Sequence, residues 1–467
     1  MKSFRTHMFY LGSADIISRL LGFCAVTYLA RILGASNIGV FAVGMSILAY
    51  ASILINMGLP ILGVRSVATK KDTIPNLLKR ICFARFFLSI VAFIIGIGML
   101  IILVEEYNIK KIAIIYLISM FPSALLLEWL FQGLNKMKLL SIGRIIGISA
   151  YLFIIIGKVS NSEDIYWVPF AWCFGCLIQA IYLWFNYKKL QIPNDAKKQP
   201  LQLFKLIKQG LPLGISELIS QSIIQFPFIY LGFFDTTKNV GLYSVAFRVV
   251  VLLLIIDRVF YNIFFPAVSR SFKDSKKHLK EGVIWTIKIV TTGSLYVAIF
   301  AIIAGKDLFN VIFGPEFRDS VLIFQILLGY FVLTIINSIF TFTLIGIEKE
   351  KLYTKSLLIG TIVFFVIIFL PLPFSATLIA PIALCAFQFV SMLVMMKHLK
   401  QLLTLNPFIR VFFSVSVAFV FSVCVGPLKS QYPLIVPIFA AVLALPTIAF
   451  ASGINRADIK TLKVLLK

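Results

Sequence analysis

Apolar tracts of about 20 residues recur along the whole chain, each long enough to cross a hydrocarbon core roughly 30 Å thick. Of the 467 residues, 60% are hydrophobic and only 13% charged. That leaves too little polar surface to keep a chain of this length in solution. Alternating strands of about ten residues are absent, so helices rather than a β-barrel satisfy the backbone in lipid. Spans are expected at roughly 10–32, 37–60, 80–104, 111–133, 139–158, 165–187, 210–233, 240–265, 283–304, 321–345, 355–374, 376–396, 409–426 and 433–452. The fold class is therefore an all-α polytopic membrane protein with about fourteen transmembrane helices.

The first residues combine a basic start with an apolar run, but Asp15 and Arg19 interrupt that run and no small-residue cleavage site follows. The stretch reads as a retained first span. The longest polar interval, about residues 188–209, is only a loop. Cys173 and Cys176 have redox-motif spacing, yet they sit mid-helix beside Trp172 and Leu177 and read as packing residues. The three histidines fall in basic segments near helix ends, so neither a metal nor any other cofactor is expected.

Charge sets the orientation. About 30 of the 44 Lys and Arg lie on the side of the N-terminus, about eight on the far side and about six within spans. The basic loops include Lys188, Lys189, Lys197 and Lys198, whereas the opposing loop with Glu105, Glu106, Lys110 and Lys111 is nearly neutral. Both termini are thus expected in the cytosol, which requires an even number of spans. The net charge of +25 mostly expresses this bias. No aromatic platform or binding module accompanies the basic loops, so nucleic acid is not an expected partner.

The chain also matches itself at an offset of about 202 residues. Residues 11–18 (LGSADIIS) lie over 213–220 (LGISELIS), and 37–41 (NIGVF) over 239–243 (NVGLY), without a gap. The offset spans six expected helices, and an even number preserves orientation, as in parallel-repeat transporters with substrate between the halves. The expected organisation is an N-lobe over 1–190, a cytosolic linker loop over 191–209, a C-lobe over 210–400, and two further helices with a cytosolic tail over 401–467. The lobes are two pseudo-symmetric six-helix bundles.

Ionisable groups inside spans are costly and usually face a cavity. Arg19 lies near the middle of the first span, and Arg248 and Arg258 lie within the eighth. Asp15 precedes Arg19 by one turn, so a local ion pair competes with any other role for both. Arg85, Arg144 and Lys288 lie near cytosolic helix ends, where they either line a cavity or snorkel to headgroups. The seventh span carries Glu217, Gln221 and Gln225 at intervals of four, a polar stripe suited to a wet lumen or to interhelical contact. Thr334, Asn337 and Thr341 repeat the pattern in the tenth span. Pro122 and Pro227 lie mid-span and permit kinks.

The segments 33–42 (LGASNIGVFA), 56–60 (NMGLP), 210–213 (GLPL), 239–248 (NVGLYSVAFR), 265–270 (FPAVSR) and 313–317 (FGPEF) occur in this order and spacing. Together they resemble the polysaccharide (O-antigen type) flippases of the multidrug/oligosaccharidyl-lipid/polysaccharide exporter superfamily. The likeness covers most of the chain and weakens over the last four spans. Asn56 stands where relatives can carry an acid, so no ion site is placed there. The resemblance implies two facing six-helix lobes, with spans 1, 2, 7 and 8 lining a central cavity. It also implies an ion-coupled, non-enzymatic carrier of the bacterial inner membrane that moves undecaprenyl-pyrophosphate-linked oligosaccharide to the periplasmic leaflet by alternating access.

Arginine suits such a substrate because it is permanently charged and holds phosphate oxygens bidentately. Arg19, Arg248 and Arg258, with Arg144 and Lys288, are the expected pyrophosphate-binding residues. Gln221, Gln225 and Asn337 are the expected glycan contacts. Asp15 and Glu217 are equivalent under the repeat and are the expected coupling pair for a proton or sodium ion. The alternatives are a lipid II or drug exporter of the same superfamily, or a membrane polymerase or ligase acting on lipid-linked glycans. The short outer loops show no paired acid and base for the last of these. Other polysaccharide-assembly membrane proteins are potential partners.

Overall fold

The computed structural model describes residues 2–69, 74–192, 203–257, 264, 276–399 and 413, with the backbone alone at 2–15 and 276–279. The described elements are all helical. They are α1 (Lys2–Asn56), α2 (Leu59–Ala68), α3 (Ile74–Leu103), α4 (Tyr107–Ile118), α5 (Met120–Ala124), α6 (Glu128–Gly133), α7 (Met137–Lys158), α8 (Trp167–Lys189), α9 (Leu203–Phe234), α10 (Thr237–Leu253), α11 (Lys276–Ile312), α12 (Ser320–Gly346), α13 (Glu350–Phe369) and α14 (Ala376–Leu399). Ten helical stretches among the described residues are long and apolar enough to cross a membrane. The longest, Ile16–Asn56, is broken at Gly34 (φ 75°, ψ 173°), a conformation that a Cβ would strain. One continuous stretch therefore carries both of the first two expected spans. The described parts of the first twelve expected spans fall mainly on helices, although residues 370–374 lie beyond the end of α13; the spans at 409–426 and 433–452 lie outside the described residues, Phe413 apart.

The fourth span, expected over 111–133, lies in an apolar stretch, Tyr107–Gly133, long enough to cross a membrane, but that stretch is built of three helical pieces, α4, α5 and α6. Pro122 withholds an N–H, while the hydroxyls of Ser119 and Ser123 donate to the carbonyls of Tyr116 (2.6 Å) and Met120 (2.8 Å). Both effects compete with the helical ladder. Of the interval 191–209, residues 203–209 lie in α9, which begins at Leu203, and residues 193–202 lie outside the described residues. Leu206 is buried in a core with Leu59, Ile81, Leu130 and Phe131, and that burial extends the helix backwards.

The chain divides into two compact units, Met1–Val245 and Ala246–Lys467. The boundary falls inside α10. In the first unit α1 packs on α3, α4, α7 and α9, and α7 packs on α8. Its outward faces are apolar: Ile102 is 80% exposed and Phe153 81%, which suits lipid and not water. In the second unit α12 packs on α11 and α14, and α13 packs on α14. The rings of Phe309, Phe313 and Phe324 cluster there at centroid distances of 5.4 and 5.1 Å.

Within the first unit two segments matched by the self-alignment come together. A Cβ on Gly39 would overlap the carbonyl oxygen of Thr237, and a Cβ on Gly241 would overlap that of Ala35. The offset pairs Gly39 with Gly241 and also Ala35 with Thr237. The contact is therefore reciprocal: each glycine meets the carbonyl of the residue four before the other. Glycine at both positions lets the α1 and α10 backbones touch. At the other end of the second span, Gly58 (φ 71°) lies against Gly210 and Leu213 of α9.

Candidate functional site

The break between α5 and α6 leaves helix-terminal carbonyls in an apolar setting, where each needs a donor. Side chains supply them. Arg85 of α3 donates through Nη1 to the carbonyl of Leu126 (2.9 Å) and through Nη2 to that of Ser123 (2.8 Å). The Trp184 indole donates to the carbonyl of Leu125 (2.9 Å). Arg85 is 6% exposed, so it does not snorkel; its charge sits on the negative end of α5.

The helix that restarts after the break opens with Glu128. Its Oε1 accepts from Arg144 Nε (3.1 Å) and from Gln179 Nε2 (2.6 Å), and its Oε2 accepts from Arg144 Nη2 (2.5 Å). The arginine–carboxylate pair is thus bidentate and ties α6, α7 and α8 together. The side chains of Arg144 and Glu128 remain 35% and 29% exposed, because they face a chamber of about 330 Å³ that Ser18, Ser52, Tyr151 and Cys176 also line. A second chamber of about 270 Å³ shares Ser52, Ser123 and Glu128 and reaches Arg85 and Trp129. Among the described residues no group of three or more His, Cys, Asp or Glu gathers to hold a metal.

The other expected site residues are distributed as follows. Arg19 on α1, Arg248 on α10 and Lys288 on α11 are partly exposed; Arg258 lies outside the described residues. Arg19 belongs to the first unit, while Arg248 and Lys288 belong to the second. Glu217, Gln221 and Gln225 are partly exposed along α9. Gln225 Oε1 accepts from the Ser46 hydroxyl of α1 (3.2 Å), so one end of that stripe holds two helices together. Asp15 lies in the stretch of α1 described by backbone alone. Asn337 is 4% exposed and donates to the side chain (2.6 Å) and the backbone carbonyl (2.7 Å) of Gln388. Gln388 donates in turn to Thr334 (3.0 Å), making the α12 stripe an interhelical tie to α14.

Sequence reasoning singled out Arg144 and overlooked its partners. Glu128 is an acid within an expected span, and that position alone would have marked it. Gln179 carried no comparable signal.

The sequence matches the model of a family described as polysaccharide biosynthesis protein over residues 4–272, more than half of the chain. It is 24% identical over 344 residues to a candidate O-antigen transporter of Escherichia coli (strain K12), covering 70% of this chain and 79% of that one. It is also 24% identical over 399 residues to the capsular polysaccharide biosynthesis protein CapF of Staphylococcus aureus, covering 82% and 96%. The fold superposes on the lipid II flippase MurJ in an inward closed conformation with a TM-score of 0.73. That match covers 94% of this chain and 97% of MurJ at 11% identity.

Proposed function

The chain belongs to the polysaccharide biosynthesis protein family, and on that footing we propose that it is a flippase for lipid-linked oligosaccharide. It carries undecaprenyl-pyrophosphate-linked repeat units from the cytosolic to the periplasmic leaflet of a bacterial inner membrane, by alternating access and without catalysing a covalent step. The observation that carries this reading is the presence of Arg19 and Arg248 within apolar helices of a chain of this family. A pyrophosphate crossing lipid needs fixed positive charge, because an uncompensated anion is prohibitive there. Arg19, Arg248 and Arg258 are its anchors, with Arg144 and Lys288 guiding it from the cytosolic side. Gln221 and Gln225 contact the glycan, and Asn337 contributes through the lobe it ties together. Asp15 and Glu217 couple transport to a proton or sodium ion. The likeness to relatives named for O-antigen transport and capsule biosynthesis supports this substrate class. A cationic-drug exporter would instead call for an acidic interior.

The test is to delete the gene and assay undecaprenyl-linked oligosaccharide on the cytosolic leaflet. Accumulation is expected, with recovery on re-expression. Arg19→Ala and Arg248→Ala are each expected to rescue poorly, and Glu217→Gln to weaken rescue when a pH gradient is the driving force. Accumulation of lipid II in place of oligosaccharide would move the substrate to the alternative lipid carrier. Full rescue by both arginine variants would remove the phosphate anchors.

A further inference from the structure

Arg144 has two claimants: Glu128, which holds it in the fold, and the substrate phosphate of the proposed transport. Both would use the same fork. Arg144 Nε and Nη2 donate to Glu128 Oε1 (3.1 Å) and Oε2 (2.5 Å), the bidentate arrangement in which a guanidinium also holds a phosphate. Glu128 thus occupies the seat that an incoming phosphate needs. The pair is within reach of an occupant, because both residues line the chamber of about 330 Å³ and their side chains are 35% and 29% exposed. Pairs that solvent reaches in this way are held weakly. Arg85 is the contrast, 6% exposed and committed to the carbonyls of Ser123 and Leu126. Glu128 also keeps support when Arg144 turns away: Gln179 Nε2 donates to its Oε1 (2.6 Å), and its charge acts on Arg85 as well. The helices need not separate for this exchange. A Cβ on Gly175 would lie 2.7 Å from the carbonyl oxygen of Gly147, so the α7 and α8 backbones touch and the movement falls to the arginine side chain.

We propose that Glu128 is a built-in competitor of the substrate's pyrophosphate, which must displace it from Arg144 to bind. The resident carboxylate lowers the fraction of carriers ready to take an anion, and with it the apparent affinity. A singly charged anion gains no more from Arg144 than Glu128 already does, whereas a pyrophosphate brings more charge and more acceptor oxygens to the same fork. Glu128 therefore selects for the multiply charged headgroup. It also retakes the arginine as the substrate leaves, which keeps an anchored pyrophosphate from staying bound. The chamber has room for a diphosphate with a few waters, each occupying about 30 Å³. This regulation deepens the proposed transport and rests on it for the identity of the anion; the competition itself is measured with inorganic pyrophosphate.

The experiment is isothermal titration of inorganic pyrophosphate into the full-length protein in detergent, at constant ionic strength. Weak saturable binding is expected for wild type, and binding about fivefold tighter for Glu128→Gln, because the competing charge is gone. Glu128→Ala is expected to act in the same direction and decides the matter where Glu128→Gln fails to fold. Arg144→Ala should lose this binding, and Glu128→Gln added to Arg144→Ala should not restore it. Lys138→Ala, an exposed position on α7, is expected to bind as wild type does. Equal or weaker affinity in both Glu128 variants would overturn the proposal, as would tightening that persists without Arg144. A loss in Lys138→Ala as large as in Arg144→Ala would place the anion on the basic loops and overturn it too. A wild-type chain that binds pyrophosphate as described yet fails to relieve the accumulation of oligosaccharide would overturn the transport reading alone.

Discussion

Glu128 stands at the first residue of α6, where the positive end of the helix dipole favours a carboxylate, and Arg144 and Gln179 converge on it from α7 and α8. Removing Arg144 leaves the Glu128 carboxylate with Gln179 but without this countercharge, which is worse than removing both. Arg144→Ala is therefore expected to destabilise the protein by about 1–2 kcal/mol, a value held down by the solvent that reaches the chamber. Adding Glu128→Ala should recover part of that loss, giving a coupling energy of about 1 kcal/mol in a double-mutant cycle read by unfolding in detergent. Strict additivity would show that the pair contributes nothing. Arg144 was legible as an intramembrane charge, because cost alone makes such a residue conspicuous. Whether it snorkels, binds a ligand or pairs could not be read, since the deciding carboxylate lies on another helix. Arg85 makes the same point: spacing placed it near a helix end, but only the broken α5–α6 segment explains its burial.

At the level of helices, breaks and crossings matter more than lengths. Gly34 divides α1, and Pro122 with two serines divides the fourth span, so one expected helix becomes three. The Gly39–Gly241 crossing puts the backbones of α1 and α10 in contact, and any side chain there must push them apart. Gly39→Ala and Gly241→Ala are each expected to cost about 1–3 kcal/mol, as overpacked sites do. Because the contact is reciprocal, the two should cost similar amounts, and the double variant should cost less than their sum. Gly98→Ala provides the comparison: a Cβ there meets nothing within 4 Å, so it should be neutral or stabilising by up to about 1 kcal/mol. Thermal unfolding of the purified protein checks all four, and equal stabilities of Gly39→Ala and wild type would count against the close crossing. Apolar length located these helices well because the requirement for about 20 residues is a property of each segment alone. The break in the fourth span was less visible, because Pro122 is as compatible with a gentle kink as with an interruption.

For the whole molecule, the charge bias predicts which loops face the cytosol. In a cysteine-free background, Glu105→Cys is expected to react with a membrane-impermeant maleimide in intact spheroplasts, and Lys189→Cys only after permeabilisation. The opposite pattern would invert the topology and, with it, the direction of the proposed transport. Composition and tract length determined by themselves that the chain is an all-helical membrane protein, because a backbone in lipid must satisfy its hydrogen bonds within each segment. The self-match at an offset of about 202 residues aligned equivalent polar and glycine positions, two of which, Gly39 and Gly241, meet in the fold. Tertiary structure decided what the sequence could only enumerate. It set Glu128 against Arg144, turned Asn337 towards Gln388, and laid Arg85 on the carbonyls of Ser123 and Leu126. The physical reason is that hydrophobic length and charge bias are local and additive along the chain. The partner of a buried polar group is set by which helices pack together, and that depends on contacts far apart in sequence.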